Sequence, residues 1–304
     1  MRVLVIGATG FIGRNLVERL YKEGHTVTVF SRRYPRAKSL FGDKVNIQQW
    51  KTDEYILLQE VAHKVDVVVN LGGENLAVRK WTGDQKRKII SSRVNIGKAL
   101  SFALKQSWDK PYLLIQASAS GYYGFSETEE FTEESPNGNG FLPMVVRQWE
   151  DSVRNVEEDN TRKVFIRSGP VLGMKFGMLS KMMLPFRFFA GGYPGSGKQW
   201  ISWIHIEDEI EAIMHLMKDE KSSGFYNLTA PNPVQMKDFA KTLGKVMKRP
   251  SIFRIPGPLL KAVYGDMAKE TILQGQKVIP KRLQESGFKF KHPELEEALR
   301  DILE

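Results

Sequence analysis

Short apolar runs alternate with longer amphipathic stretches along the first half of the chain. Residues 2–6, "RVLVI", end at a glycine, the pattern of a strand buried on both faces. In the next segment, "GFIGRNLVERLYKEG", Ile12, Leu16 and Leu20 lie four apart, Val17 widens the stripe and Gly24 closes it, which predicts one amphipathic helix. "HTVTVF" alternates and is β-branched, a second strand. "VDVVVNL" (65–71), "PYLLIQAS" (111–118) and "TRKVFIRSGPVLG" (161–173) predict further strands, with a long helix over "TGDQKRKIISSRVNIGKALSFALKQ" (82–106). Strands alternating with helices imply βαβ units, hence an α/β fold with a doubly wound parallel sheet.

After residue 173 the texture changes. Met, Phe and Pro cluster in "GMLSKMMLPFRFFAGGYPGSG", "WISWIHIEDEIEAIMHLMK" returns to strand then helix, and the last 70 residues read as short-looped helices. The expected organisation is a nucleotide-binding domain over 1–173 with a return segment at about 200–230. A smaller, mostly helical cap on the substrate side is expected from 174–199 and 231–304.

The first strand and helix are joined by "GATGFIG" (Gly7, Gly10, Gly13). In a strand–turn–helix context these glycines permit the tight turn, the approach of backbone to a diphosphate and close helix packing, while the helix N-terminus faces the anion. This is the Rossmann-type phosphate cradle. An NAD site would carry Asp or Glu at the end of the second strand; this chain has Ser31, Arg32 and Arg33 there. Guanidinium forks suit a 2′-phosphate, so NADP is expected, with Arg32 ahead of Arg33. "GYPGSGK" (192–198) imitates a triphosphate loop, but Gln199 stands where the magnesium-binding hydroxyl belongs and a strand follows. ATP is not expected.

Composition narrows the classes. With 304 residues, 45 Lys+Arg and 35 Asp+Glu, the formal charge is +10. Basic residues are scattered in "RRYPRAK", "RKWTGDQKRK" and "KVIPKR", so a solvated surface is expected and nucleic acid is not. There is no cysteine, which removes disulfides and thiolate nucleophiles and suits a cytoplasmic location. The five histidines (25, 63, 205, 215, 292) lack local ligand spacing, so no metal is expected. No apolar run approaches the length of a span, nor does the N-terminus read as a signal peptide, so no membrane partner is expected either.

Five motifs, "GATGFIG", "NLGGEN" (70–75), "SASGYYG", "RSGPVLG" and "WIHIED", resemble the extended short-chain dehydrogenase/reductase superfamily. With "FLPMVVRQWE" and "LQGQKVIPKRLQESGFKF" the whole chain is similar to its atypical nucleotide-sugar-epimerase-like subgroup, which ends in the small domain called DUF1731. The resemblance implies an NADP-binding sheet with a site under the C-terminal cap. It places Gly7, Gly10, Phe11, Ile12 and Gly13 at the diphosphate, Ser31 and Arg32 at the phosphate-recognising end, and Leu71 and Gly72 beside the adenosine half. Glu74 belongs to the subgroup motif, Arg93 matches a cofactor-side arginine, Asn95 an Asn-x-Gly element, and Pro170 and Val171 the nicotinamide wall.

One departure bears on chemistry. The family's Tyr-x-x-x-Lys pair, in which Lys lowers the phenol pKa, falls here on Leu142 and Val146. The usual serine falls on Ala119, flanked by Ser118 and Ser120. Ser118 and Tyr123 are the catalytic candidates left, and Tyr123 either exchanges a proton or orients substrate and packs on the cap. His205 either titrates in catalysis or holds a strand end. The expected function is an NADP-dependent, epimerase-like oxidoreductase acting on a small polar or nucleotide-sugar-like molecule. The alternative is an NADP(H)-binding sensor or regulatory protein with little turnover. A homodimer stays open.

Overall fold

The computed structural model describes residues 1–77, 79–105, 111–156 and 161–304. Seven strands form the central sheet: β1 (Arg2–Ile6), β2 (Thr26–Ser31), β3 (Asn46–Gln49), β4 (Val67–Asn70), β5 (Leu113–Ala119), β6 (Arg162–Ser168) and β7 (Gly224–Leu228). All pairings are parallel, in the order β7-β6-β5-β4-β1-β2-β3. The order reverses at β1 and β4, and ligands of such sheets bind outside the C-terminal strand ends at that reversal.

Helices α1 (Phe11–Lys22), α2 (Tyr34–Phe41), α3 (Tyr55–Ala62) and α4 (Gly83–Lys105) follow the first four strands. α5 (Phe141–Asp151) precedes β6, α6 (Gly177–Arg187) follows it, and α7 (Ile206–Lys218) leads into β7. Alternation along β1 splits the core: Val3 and Val5 join Leu16, Leu20 and Ile213 on one face, while Leu4 and Ile6 join Ala99 and Leu100 on the other.

The predicted parallel sheet is present, with differences at its ends. β3 (NIQQ) carries no apolar alternation because it is an edge strand whose residues are mostly exposed. The predicted strand at 161–173 breaks at Gly169–Pro170 into β6 and a two-residue strand, Val171–Leu172, that pairs with Ile204–His205. "WISWIHI" contributes only that pairing and Trp200–Ile201 with Val234–Gln235; the strand that returns to the sheet is β7. The long helix matches α4, except that Gln106 lies outside the described residues.

The cap core gathers Leu179, Met183 and Phe186 of α6 with Phe239 and Leu243 of α8 (Met236–Met247) and Leu299 of α12 (Leu295–Leu303). Between them run α9 (Gly257–Tyr264), α10 (Asp266–Thr271) and α11 (Lys281–Glu285). Two short parallel pairs sew the pieces together: Gly191–Pro194 with Ser251–Ile255, and Glu130–Phe131 with Lys277–Val278. "GYPGSGK" is thus the end of one strand and a turn with Gly195 and Gly197 at positive φ, not a loop opening a helix.

Candidate functional site

The glycine turn lies at the C-terminal end of β1. Gly7 has φ +82°, and a Cβ there would lie 2.6 Å from the Leu71 carbonyl carbon, because the chain leaving β4 crosses over it. A Cβ on Gly13 would collide with the Gly7 carbonyl oxygen, so α1 rests directly on the turn. Gly10 differs: its Cβ would meet only the Gly7 oxygen, at 3.1 Å. Gly10 is also the N-cap of α1, no side chain caps that helix, and its first turn holds no acid. Its leading N–H groups, including those of Phe11, Ile12 and Gly13, therefore face outward at the positive end of the helix dipole. That open, uncapped cradle fits a diphosphate.

Around the turn, Phe11 stacks on Phe176 at 5.1 Å, and the Arg14 guanidinium lies 4.4 Å from the Phe176 ring centroid. At the end of β2, buried Ser31 accepts a bond from the Arg33 N–H at 3.2 Å, shaping the corner. Arg32 and Arg33 are exposed, and among the described residues neither has an ion-pair partner. Past β4, the Gly72 N–H donates to Asn70 Oδ1 at 3.0 Å, and a Cβ at Gly72 would strike Ile96. Arg93 donates to the Glu74 and Ile89 carbonyls at 3.1 and 3.0 Å and lies over Trp149. Burial lowers its pKa to about 10. Ser92 Oγ accepts from the Glu74 N–H. Asn95 faces solvent, and Val171 is half-buried in the short pair with Ile204.

The polar strip after β5 is assembled differently. Ser118 Oγ donates to Glu150 Oε1 at 2.5 Å, and Arg167 grips both Glu150 oxygens at 2.8 and 3.0 Å. Arg167 also donates to Tyr123 Oη at 3.1 Å, and that hydroxyl donates to Asn227 Oδ1 at 2.6 Å. Asn227 continues to the Ile279 carbonyl. The result is one buried chain of bonds across the ends of β5, β6 and β7. Tyr123 is 2% exposed, stacks on Phe131, and is pushed by burial to a pKa of about 12. Both catalytic candidates thus spend their hydroxyls on buried partners. Leu142 and Val146 are buried against Gly121, and Arg147 faces solvent toward Asp151, so α5 supplies no cation in place of the missing Lys; the cation at the Tyr123 hydroxyl is Arg167, already held by Glu150.

His205 ends the short strand Ile204–His205 and caps α7, where its Nδ1 accepts from the Glu207 N–H, a structural hydrogen bond at a strand end. Sequence reasoning passed over Glu150, Arg167 and Asn227. It also passed over Gln276, whose amide donates to Ser120 Oγ at 3.2 Å from the far end of the chain. The available signal was that Glu150, Arg167 and Gln276 sit inside the family-like motifs.

The model of the NAD dependent epimerase/dehydratase family matches residues 3–229, and that of DUF1731, a domain of unknown function, matches 255–302. Epimerase family protein YfhF of Bacillus subtilis is 38% identical over the full chain and 98% of its own length. The chloroplastic SDR39U1 homolog of Arabidopsis thaliana is also 38% identical, over 100% of this chain and 87% of its own. The crystal structure of human SDR39U1 with NADPH superposes with TM-score 0.89 at 34% identity, covering 99% of both chains. UDP-galactose 4-epimerase, at TM-score 0.77 and 18% identity over 99% of this chain and 97% of its own, shares the fold. With its cradle at the sheet's reversal point and its tail matched by DUF1731, the chain belongs to the NAD dependent epimerase/dehydratase family.

Proposed function

We propose that the protein is an NADP(H)-dependent oxidoreductase of epimerase type, acting on a small polar or nucleotide-sugar-like substrate beneath the cap. The observation that carries this is the open side of Gly10 above an uncapped helix N-terminus, with unpaired arginines at the end of β2. The NADPH bound by the human relative supports it. In this reading the backbone of Gly7–Gly13 holds the diphosphate, and Ser31 and Arg32 hold the 2′-phosphate. Leu71, Gly72, Glu74 and Arg93 shape the adenosine side and Val171 the nicotinamide side. The coenzyme, when bound, supplies or accepts a hydride.

The protein's own contribution is binding, orientation and exclusion of water. Ser118 and Tyr123 act as positioning residues, since their bonds through Glu150 and Arg167 lock the strip where substrate would lie. The proton that a carbonyl needs on reduction then comes from a water molecule held beside the substrate, which leaves as hydroxide, and not from Ser118 or Tyr123. Leu142 and Val146, buried at the Tyr and Lys positions, favour the second reading, a coenzyme-binding sensor with little turnover. A reducing compartment, the cytoplasm, suits a chain without cysteine. A homodimer is proposed by fold analogy alone, and light scattering decides it.

Fluorescence titration with NADPH and NADH tests the assignment. Arg32→Ala is expected to weaken NADPH about tenfold or more, the worth of a charge-assisted phosphate contact, and NADH hardly at all. Equal losses for both coenzymes, or no binding by the intact protein, would remove it. Loss of reduced-nicotinamide absorbance with carbonyl compounds and nucleotide-sugars separates enzyme from sensor.

A further inference from the structure

Outside the residues assigned to the coenzyme, the cap carries a surface that a folded, water-facing protein has no evident reason to keep. The last turn of α6 and the chain after it place Leu184, Phe188 and Phe189 in solvent at 57%, 74% and 58% exposure. The strand Ser251–Ile255 brings Ile252 and Phe253 alongside, at 75% and 49%. The two segments are neighbours: Ser251 pairs with Gly191, and the Arg249 guanidinium lies 4.4 Å from the Phe189 ring centroid. Scattered exposed apolar residues are ordinary; a contiguous group that includes three phenylalanines marks an interaction surface.

Two further observations say what the partner is. Segments 181–190 and 247–255 carry Lys181, Arg187, Lys248, Arg249 and Arg254 and no Asp or Glu. None of these five makes an ion pair among the described residues. A second copy docked face to face would oppose like charges, which disfavours self-association. An anionic partner is favoured. Leu184 and Ile252 offer nothing to stacked bases but gain from hydrocarbon, which favours lipid over nucleic acid.

The backbone adds an independent mark. Among the described residues, Phe189 (φ 59°) and Lys248 (φ 55°) are the two non-glycine residues in the left-handed region, and both sit in this patch. They occupy helix C-terminal turns, where glycine is the strain-free choice. Phe189 is therefore unfavourable twice, in backbone and in exposure, and strain of this kind collects at working surfaces.

We propose that this tip of the cap docks on an anionic membrane surface, the apolar side chains entering the headgroup boundary while Lys and Arg meet lipid phosphates. The expectation of no membrane partner rested on the lack of a long apolar run, and no described helix is long and apolar enough to cross a membrane. Surface binding needs no such run.

Co-sedimentation of the full chain with vesicles of mixed phosphatidylglycerol and phosphatidylcholine, against phosphatidylcholine alone, tests it. Binding to the anionic vesicles is expected, at least about tenfold weaker on neutral ones and weakened by salt. The double variant Phe188→Ser/Phe189→Gly should lose about tenfold or more of that binding. Because glycine relieves the φ of 59°, its melting temperature should not fall, and its NADPH titration should match the parent. Equal binding to both vesicles, none to either, or an undiminished double variant would each overturn the proposal. So would a dimer or RNA complex abolished by the same substitutions.

Discussion

Gly10 and Gly13 sit three residues apart and differ in what a methyl group would meet. At Gly13 it meets the turn backbone as close as 2.4 Å, whereas at Gly10 it touches only the Gly7 oxygen, at 3.1 Å, and otherwise enters the space assigned to the diphosphate. Gly13→Ala should therefore cost stability, on the order of 2 kcal/mol or more, because neither α1 nor β1 can yield. Gly10→Ala should leave the melting temperature nearly unchanged and weaken NADPH at least about tenfold. Parallel melts and titrations read both; the reverse pattern would mean that the turn is not the cradle. Tyr123 yields a different contrast. Tyr123→Phe strands Asn227 Oδ1 and one Arg167 N–H in a buried site, at a cost of about 1–3 kcal/mol. NADPH affinity should stay within twofold or so of the parent if the hydroxyl only positions. The placement of the glycines and arginines was legible because it is local: a strand, a turn, a helix, a strand end. The Tyr123 environment was not, because its partners come from β6 and β7, 44 and 104 residues away.

At the level of the element, α7 holds two groups titrating in opposite senses. His205 caps it through an Nδ1 lone pair, which requires a neutral ring, and burial followed by the nearby His292 lowers its pKa to about 4. A folded-state pKa below the ordinary ~6.5 means that this stability is complete above pH ~6.5 and is lost as the pH falls through 4. The ring also stacks on His292 at 3.9 Å, and its Nε2 lies 3.3 Å from an Asp301 carboxylate oxygen of α12. Glu209, one turn on, is wholly buried; its Oε1 accepts a hydrogen bond from the Ser168 hydroxyl while Oε2 has no hydrogen-bond partner. Burial raises it to about 8. Its stability is present below the unfolded value of ~4.3 and is lost as the pH rises through 8. Melting temperature should thus form a plateau near pH ~5–6.5 and fall on both sides. Glu209→Gln should remove most of the alkaline fall, on the order of 2–4 kcal/mol at pH ~8.5. His205→Asn, which keeps an N-cap former, should make the acid side shallower. Melts at a series of pH values decide it, and unchanged limbs in both variants would refute the account. Helices such as α1 and α4 could be read from periodicity alone. β3 and β7 could not, since an exposed edge and a half-buried start leave no alternation to read.

For the molecule as a whole, the final 50 residues decide whether the chain is a sheet domain with a detachable cap. Pattern alone assigns 231–304 to the cap and shows nothing of its contacts with the sheet domain, because contacts between distant segments leave no periodic trace. The structure instead threads the tail back through the sheet domain. Lys277–Val278 pairs with Glu130–Phe131, and Leu283 and Phe288 enter the same core as Val3, Leu16 and Ile213. The Glu270 carboxylate accepts the N–H groups of Phe141 and Leu142 that open α5. Asn227, already holding Tyr123, donates to Ile279. Removing residues 255–304 would expose Val278's, Leu283's and Phe288's sites, each worth about 2 kcal/mol of burial, and orphan those polar groups as well. Against a native stability of about 5–15 kcal/mol, little would remain. A chain ending at residue 254 is therefore expected to lack a cooperative melt and to ignore NADPH, although every residue assigned to the coenzyme is retained. If it melts cooperatively within a few degrees of the parent and binds NADPH normally, the tail is an appendage. If not, the tail is a structural part of the sheet domain, and it meets the polar strip where Gln276 donates to Ser120 and where Val278 packs with Tyr123.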